Sequence, residues 1–392
     1  MPYCNISGEQ STSKIGTKIF YRTYGNGPIK VLLIIGLAGT HESWGPQIRG
    51  FTGTDVPNDD KSTVDDEVAG NGCMEVCAFD NRGVGRSSVP TKKSEYTTTI
   101  MAKDAIALMD HLGWKKAHVC GHSMGGMIAC KLAALVPDRV TSLALLNVTG
   151  GGFQCLPKLD RLTVSVAVRF LLAKTAEDRA AVDLDTHYSQ DYLAECVGES
   201  TRRAILYQEY VKGISKTGMQ SNYGLEGQIN ACWTHKMTRT EIEQIRAAGF
   251  LISVIHGRHD IVAQIRHAKR LAEKLHPFAR MVDLHGGHLV SHERTNEVND
   301  ALLDLINASE CKTSPRDWTN LPDKMSSDWI GPLRMLSTTK SATRSSLSSM
   351  YRVLEKLNGF LIYLFGIFVL AYEYIRRVVG RFKPVRIGAS LT

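Results

Sequence analysis

A serine flanked by glycines stands where an apolar run gives way to a helical one, in the motif Gly121-His122-Ser123-Met124-Gly125. Residues 117–120 before it are mostly apolar, and residues 124–137 after it have the composition of a helix. Such a sharp turn crowds the backbone, so its flanking positions need glycine, and it exposes the serine hydroxyl at a sheet edge. A serine hydroxyl attacks well only when a neighbouring base takes its proton. The motif therefore predicts Ser123 as a nucleophile.

Short apolar runs alternate with helical stretches along most of the chain, and these elements must position the serine. Six runs are predicted as strands, at residues 31–38, 74–80, 117–121, 143–148, 250–256 and 281–285. They lack strict alternation, which is typical of strands covered on both faces in a parallel sheet with right-handed crossovers. Residues 96–112 have helical spacing and are followed by Gly113, so they predict a helix between two strands.

The composition excludes several classes of protein. Of the 392 residues, 43% are hydrophobic and 22% charged, so the chain can bury a full core, unlike a disordered tail or a disulfide-stapled miniprotein. The sequence has no Gly-rich phosphate loop with Lys-Ser/Thr, no Cys-x-x-Cys pair and no His-Glu-x-x-His motif. We therefore expect neither a cofactor nor a metal.

In its motifs the sequence resembles the α/β-hydrolase superfamily, over about residues 15–308. Five landmarks stand in that family's order: Gly36-Leu37-Ala38-Gly39 followed by Trp44 and Gln47, Asp80-Asn81-Arg82-Gly83-Val84-Gly85-Arg86-Ser87, Gly121-His122-Ser123-Met124-Gly125, Gly257-Arg258-His259-Asp260, and Gly286-Gly287-His288. The resemblance implies an α/β fold with a mostly parallel eight-stranded sheet flanked by helices, and a helical lid. It also implies an enzyme, a serine hydrolase whose catalytic residues follow the order Ser, Asp, His.

The resemblance assigns a role to each residue of the predicted site. Ser123 would be the nucleophile and His288 the base that takes its proton. Asp260 would accept the second imidazole N–H, fix the tautomer and stabilise the imidazolium. The backbone N–H groups of Leu37 and Met124 would form the oxyanion hole.

Three neighbouring residues compete for two of these roles. His285, on a predicted strand, and His292, on the following predicted helix, are rival bases. Asp283 is the nearest rival carboxylate, although it sits within a predicted strand just before the histidine. Arg82 lies in a glycine-rich turn and is interpreted as a brace between loops and not as a contact to substrate.

Two positions depart from patterns seen in relatives. Many relatives have a histidine where this chain has Ile35, so the Leu37 half of the oxyanion hole lacks a polar side chain that could shape its loop. The nucleophile position holds a serine and not an aspartate. This choice argues against the epoxide hydrolase and haloalkane dehalogenase branches, which need a carboxylate to attack carbon.

The chain divides into five predicted parts. The second part is mostly helical in character and lies between two predicted strands, where a lid would sit; extra packing helices are the alternative. Beyond Cys311 the composition shifts to Ser, Thr and Lys, typical of a linker. The parts are a hydrolase core over 15–151, a helical lid over 152–240, the second part of the core over 241–310, a linker over 311–350 and a C-terminal hydrophobic helix over 351–380.

The formal net charge of +8 comes almost wholly from the C-terminal tail. From residue 340 onward there are nine Lys or Arg and two Glu, and residues 360–372 among them are apolar. A helix of this length covers only about 20 Å of a bilayer core of about 30 Å, so spanning depends on its flanks. The pattern favours a membrane anchor over nucleic-acid binding, and a core helix docked on the hydrolase is the alternative.

The N-terminal residues carry no apolar segment of the kind found in a secretory signal peptide. The nine cysteines show no repeated spacing, which favours a reducing compartment. We therefore expect membrane association through the tail, with the catalytic domain facing the cytosol.

The predicted function is hydrolysis of an ester or related acyl bond through an acyl-serine intermediate. The apolar lid and tail favour a small, apolar or lipid-like substrate. The expected partners are this ester or lipid and a membrane, with no nucleic acid. The alternative is a ligand-binding receptor with slow or no turnover, because receptors of this superfamily can keep an intact set of Ser, Asp and His.

Overall fold

The apolar runs of the sequence form one large sheet in the computed structural model, which describes residues 2–6, 16–60, 73–158, 160–217 and 220–322. The strands formed by these residues are β1 (Tyr3–Ile6), β2 (Thr17–Tyr24), β3 (Ile29–Ile34), β4 (Met74–Phe79), β5 (Ala117–His122), β6 (Val140–Leu146), β7 (Cys196–Val197), β8 (Ser200–Thr201), β9 (Leu251–Gly257) and β10 (Ala279–Leu284). Strands β7 and β8 form a separate two-stranded hairpin.

The large sheet has eight strands in the order β1-β2-β4-β3-β5-β6-β9-β10. All neighbours from β4 to β10 pair in parallel, and β2 pairs antiparallel with both β1 and β4. The predicted α/β fold with a mostly parallel eight-stranded sheet is therefore confirmed. The six predicted strands correspond to β3–β6, β9 and β10, and the first ends at Ile34, earlier than predicted, because residues 35–39 leave the sheet as a loop.

Helices connect these strands and cover both faces of the sheet. They are α1 (Gly45–Thr52), α2 (Thr98–His111), α3 (Met124–Leu135), α4 (Arg161–Leu172), α5 (Ala176–His187), α6 (Gln190–Ala194), α7 (Arg202–Thr217), α8 (Asn222–Thr234), α9 (Arg239–Ala248), α10 (Ile265–Leu275), α11 (Val290–Glu293), α12 (Thr295–Glu310) and α13 (Pro315–Trp318). The helix predicted over 96–112 begins at Thr98, since Thr97 is extended and its side chain accepts a hydrogen bond from the N–H of Ile100.

Two apolar clusters sandwich the sheet. Leu32 and Ile34 of β3 point to one side, against helices α2, α3, α9 and α10. Val31 and Leu33 of the same strand point to the other side, against α1 and α12. Successive residues of a strand face opposite sides of the sheet, so a strand covered on both faces is apolar at every position. This is the physical reason for the unbroken apolar runs in the sequence.

A helical insertion, residues 152–238, separates β6 from β9 and contains α4–α8 and the β7–β8 hairpin. It falls within the predicted lid, whose action as a lid stays a prediction. Helix α9, which begins at Arg239, packs against the core through Ile245. The nine cysteines, all within the described ranges, are free thiols.

None of the helices formed by the described residues is both long and apolar enough to cross a bilayer. The predicted C-terminal helix over 351–380 and residues 323–350 of the predicted linker lie outside the described residues. The first part of that linker, residues 311–322, differs from the prediction: it contains α13, whose Trp318 is buried and donates to the carbonyl of Ile252 at 2.8 Å.

Candidate active site

The Ser123 turn joins β5 to α3 at the carboxyl end of the sheet. Ser123 adopts φ 54° and ψ −121°, a conformation that L-residues rarely take and that costs on the order of 1–3 kcal/mol. Its N–H donates to the carbonyl of Leu146 at 2.8 Å, which holds the turn against β6. Gly125 is required because a Cβ there would overlap the backbone carbonyl of Ile34. The contacts of this turn with the backbone of Leu146 and Ile34 therefore hold Ser123 in its strained conformation, with its hydroxyl beyond the end of β5.

Three loops bring the predicted residues together at this edge. The hydroxyl of Ser123 lies 3.1 Å from Nε2 of His288, in position to donate to it. Nδ1–H of His288 in turn donates to Oδ2 of Asp260 at 2.8 Å. The three side chains follow β5, β9 and β10, whose carboxyl ends meet at one edge because the strands are parallel. The arrangement has the geometry of a nucleophile, a base and an orienting carboxylate.

The carboxylate of Asp260 is buried and saturated with hydrogen bonds. Its Oδ1 accepts from the N–H groups of Val262 and Ala263, both at 2.8 Å. Burial raises the pKa of this group, but His288 and the hydrogen bonds outweigh burial and lower the pKa to about 2. Asp260 is therefore ionised at neutral pH and can orient the imidazole.

Asn147 is a residue of the site that the sequence analysis missed. It follows β6, is fully buried and has a positive φ of 48°. Its Nδ2 donates to Oδ2 of Asp260 at 2.7 Å and to the carbonyl of Gly287 at 3.2 Å, linking the carboxylate to the histidine loop. The available signal was an asparagine directly after an apolar strand, since asparagine tolerates left-handed backbone better than most residues.

A buried carboxylate, Glu293, braces the loop that carries the histidine. Its Oε2 accepts from the N–H of Gly287 at 2.7 Å and from the N–H of Ser189 at 3.2 Å, and its Oε1 accepts from the hydroxyl of Ser189. The N–H of Leu289 also donates to the carbonyl of His187 at 2.8 Å. The junction of α5 and α6 in the helical insertion is therefore bonded directly to Leu289, and Glu293 links it to Gly287, so both neighbours of the candidate base are held.

Two further histidines surround His288. The ring of His122 packs edge-on, 5.0 Å away between centroids, and its Nε2–H donates to the carbonyl of His288 at 2.8 Å. The ring of His187 stacks on His288 at 6.3 Å between centroids. Burial, reinforced by the nearby His288, lowers the pKa of both His122 and His187 to about 3. Both rings are therefore neutral near pH 7 and add no positive charge beside the base.

The predicted oxyanion donors lie on two sides of the serine. A Cβ built on Gly36 would lie 2.9 Å from Cβ of Ser123, so the loop of residues 36–39, which we term the oxyanion loop, begins directly beside the nucleophile. Met124 is the first residue of α3, where backbone N–H groups have no intrahelical partner and the helix dipole favours negative charge. Ile35 is 4% exposed and packs in the apolar cluster with α1 and α12. The roles of Leu37 and Met124 stay predictions.

The rival residues have other partners. Nε2–H of His292 donates to the carbonyl of Ser43 at 2.7 Å. His285 packs on the ring of His259, 4.4 Å away between centroids. Asp283 forms ion pairs with two basic side chains, at 2.6 and 2.9 Å. Neither rival histidine takes the place of His288 beside the serine.

The bracing role predicted for Arg82 fits its contacts. Its guanidinium is 1% exposed and forms two hydrogen bonds of 2.6 Å with the carboxylate of Asp104, on α2. A third hydrogen bond, of 2.8 Å, reaches the carbonyl of Glu95.

Among the described residues, no group of three or more His, Cys, Asp or Glu side chains is arranged to hold a metal ion.

Comparisons with known proteins agree with this fold. A family model described as the alpha/beta hydrolase fold matches residues 30–295. RutD of Caulobacter vibrioides (strain NA1000 / CB15N), provisionally named a carbamate hydrolase, is 35% identical over 133 residues, covering 33% of this chain and 42% of that protein. RutD of Caulobacter sp. (strain K31), provisionally named in the same way, is 26% identical over 276 residues, covering 70% of this chain and 90% of that protein.

Among solved structures, the enol-lactonase from Burkholderia xenovorans LB400 has a similar fold. Its TM-score is 0.58 at 23% identity, covering 78% of this chain and 100% of that one. The match to RutD of Caulobacter vibrioides spans less than half of that relative's length, whereas the family model spans more than half of this chain. The family model therefore places this protein in the α/β-hydrolase family.

Proposed function

We propose that this protein is a serine hydrolase that cleaves an ester or a related acyl bond through an acyl-serine intermediate. The observation that carries the proposal is the continuous hydrogen-bond chain from Ser123 through His288 to Asp260, with distances of 3.1 and 2.8 Å. Further support comes from the carboxylate, which is ionised at neutral pH because its pKa is lowered to about 2.

The proposed reaction uses these contacts. Oγ of Ser123 attacks the carbonyl carbon of the substrate while its proton moves to Nε2 of His288, and Asp260 stabilises the resulting imidazolium. The N–H groups of Leu37 and Met124 hold the negative oxygen of the tetrahedral intermediate. Collapse breaks the acyl bond, and the leaving group takes the proton from the imidazolium. A water molecule then repeats these steps on the acyl-serine and releases the acid and the free serine.

The substrate we propose is small and apolar or lipid-like. The helical insertion is bonded to the histidine loop and exposes large apolar side chains, among them Phe153, Leu172 and Trp233, which are 68%, 62% and 49% exposed. Exposed apolar surface often marks a binding function. The RutD relatives are provisionally named carbamate hydrolases, so we include carbamates among the proposed substrates. The carbonyl carbon of a carbamate is an acyl centre of the same type as that of an ester.

A fluorophosphonate probe and a substrate panel test the proposal. The panel contains p-nitrophenyl esters of increasing chain length, a lysophospholipid and a phenyl carbamate. The wild type should be labelled and should turn over at least one member many times, whereas Ser123→Ala should do neither. Ser200→Ala, which changes an exposed serine of the hairpin, is the matched control and should behave as wild type. Equal labelling of wild type and Ser123→Ala would refute the assigned nucleophile.

The same panel separates the enzyme from the alternative of a ligand-binding receptor. Many turnovers per molecule on a simple ester support the enzyme. A single turnover that leaves the serine acylated, on every member of the panel, supports the receptor.

A further inference from the structure

We propose that Gln228, a residue of helix α8 in the helical insertion, is a positioning residue that holds the oxyanion loop in its catalytic conformation. This inference rests on the proposed function, because it concerns the donors that would stabilise the oxyanion. Gln228 lies 105 positions after the nucleophile and belongs to none of the motifs shared with the family.

The side-chain amide of Gln228 bonds to the oxyanion loop and to one other loop of the core. The side chain is fully buried. Its Oε1 accepts from the backbone N–H of Ala38 at 2.9 Å and from Nε2 of Gln220 at 3.0 Å. Its Nε2 donates to the carbonyl of Arg82 at 2.9 Å. A buried amide with partners on both ends is held in one orientation, because losing either partner would leave a buried polar group unpaired.

Ala38 is the residue of the loop that needs such support. It has φ 62°, in the left-handed region that an alanine rarely adopts. The hydrogen bond from the N–H of Ala38 to Gln228 fixes the orientation of the peptide plane between Leu37 and Ala38. This plane adjoins the peptide that carries the N–H of Leu37, so fixing it restricts the direction in which that N–H points. Without Gln228 this backbone would be free to relax and turn the donor away from the serine.

Helix α8 is anchored independently of Gln228, which makes its role separable. Gly224 lies so close to Gly83 that a Cβ there would overlap the carbonyl of Gly83. Two residues after Gln228, Nδ2 of Asn230 donates to the carbonyls of Lys93 and Tyr96, at 3.2 and 3.1 Å. Asn230 thus fastens the same helix to the core through a similar side-chain amide, but it has no bond to the oxyanion loop.

Three variants distinguish positioning from simple packing. Gln228→Met keeps the volume and loses every hydrogen bond of the amide. Gln228→Glu keeps an acceptor oxygen for the N–H of Ala38, and burial against the carbonyl of Arg82 favours the neutral carboxylic acid, whose O–H can donate to that carbonyl. Asn230→Leu, the matched control, loosens α8 without touching the oxyanion loop. For each we would measure the melting temperature, kcat and KM on p-nitrophenyl butyrate, and inhibition by phenylboronic acid, which forms a tetrahedral adduct with the serine.

We expect Gln228→Met to lower kcat about tenfold with KM within about twofold. Complete loss of one oxyanion donor costs about 100- to 1,000-fold, and a displaced donor costs less. The inhibition constant for phenylboronic acid should rise by a similar factor, because the adduct needs the same donor. Gln228→Glu should restore most of kcat, and Asn230→Leu should keep kcat within about twofold even where its melting temperature falls.

The outcomes that contradict the inference are distinct from failure of the proposed function. If Gln228→Met and Asn230→Leu have equal kcat and equal affinity for the boronic acid, Gln228 only packs the helix. If Gln228→Met raises KM alone, it acts on substrate binding and not on the oxyanion loop. If Ser123→Ala hydrolyses the ester as well as wild type, the proposed function itself has failed.

Discussion

At the scale of single residues, the candidate chemistry depends on one imidazole held between a hydroxyl and a carboxylate. Nδ1–H of His288 donates to a carboxylate that accepts three further hydrogen bonds and cannot easily rotate away. The tautomer with a free Nε2 toward Ser123 is therefore set by the protein. A catalytic base that is already oriented avoids reorganisation during the reaction.

Replacing the carboxylate by its amide tests this orientation. In Asp260→Asn the amide can donate to the imidazole, which favours the tautomer protonated at Nε2, and that tautomer cannot accept the serine proton. We expect kcat on a p-nitrophenyl ester to fall about 10⁴-fold. Asp283→Asn, which removes a carboxylate paired with surface cations, should stay within a few-fold of wild type. Comparable losses in the two variants would contradict the assignment of Asp260.

The buried histidines make stability depend on pH. The pKa of His122 is lowered to about 3 in the folded state, mainly by burial, so the unfolded chain binds a proton at higher pH than the folded one. Stability from this residue is complete above about pH 6.5 and declines as the pH falls toward 3. Between pH 7 and pH 5 we expect His122 to contribute a loss of about 2 kcal/mol in the free energy of unfolding.

Urea unfolding at the two pH values measures this contribution. The amide of His122→Gln can still donate to the carbonyl of His288. In this variant the difference between the free energies of unfolding at pH 7 and pH 5 should be about 2 kcal/mol smaller than in wild type. His259→Gln, at an exposed histidine, should keep the difference found in wild type. An unchanged difference in His122→Gln would mean that this ring is not buried in its neutral form.

At the scale of elements, the helical insertion is joined to the catalytic loops by polar contacts. The junction of α5 and α6 shares the carboxylate of Glu293 with the histidine loop. Helix α8 contacts the oxyanion loop through Gln228. The insertion is therefore bonded both to the loop that carries His288 and to the loop of residues 36–39.

Loss of the Glu293 charge should loosen the first of these links. In Glu293→Gln the amide nitrogen faces N–H and O–H donors, so at least one buried hydrogen bond to a charged acceptor is lost, at about 2–3 kcal/mol. We expect that loss in the free energy of unfolding, together with a lower kcat, because Gly287 precedes His288. Glu297→Gln, at an exposed position one turn further along the chain, is the control. Unchanged stability in Glu293→Gln would show that the carboxylate does not brace the loop.

At the scale of the whole molecule, the basic tail differs in character from the rest of the chain. The described residues belong to a compact unit of residues 1–323, and the tail beyond it holds the apolar run 360–372 and most of the net charge. We propose that this run anchors the protein to a membrane, because basic residues flank it on both sides.

Membrane fractionation with and without the tail tests the anchor. The full chain should sediment with membranes and require detergent for release, whereas a chain ending at residue 335 should stay in the supernatant and keep its esterase activity. Retention of the shorter chain in the membrane fraction, resistant to high salt, would assign the attachment to residues before the tail.

The sequence by itself indicated the fold class and the nucleophile, and the motifs it shares with the α/β-hydrolase family assigned the other two residues of the candidate triad. These features can be predicted because each depends on residues that are close together in the sequence. Unbroken apolar runs indicate covered strands, glycines flank the strained serine, and short motifs lie in the loops after strands. Two antiparallel strands, β1 and β2, were not located individually. Strand β1 has only four residues, and β2, with the sequence TKIFYRTY, has neither an unbroken apolar run nor a regular alternation of polar and apolar residues.

Only the tertiary structure decided which residues support the triad. Asn147, Glu293 and Gln228 act through partners 113, 104 and 190 positions away in the chain, and none stands in a motif that spacing could reveal. Such residues are selected by the geometry of close approach between loops, since a buried donor or acceptor must find a partner wherever the fold places one. The pattern of residue types along a chain indicates which residues are buried and where the chain turns. It does not indicate which distant backbone group will form a hydrogen bond with a buried amide.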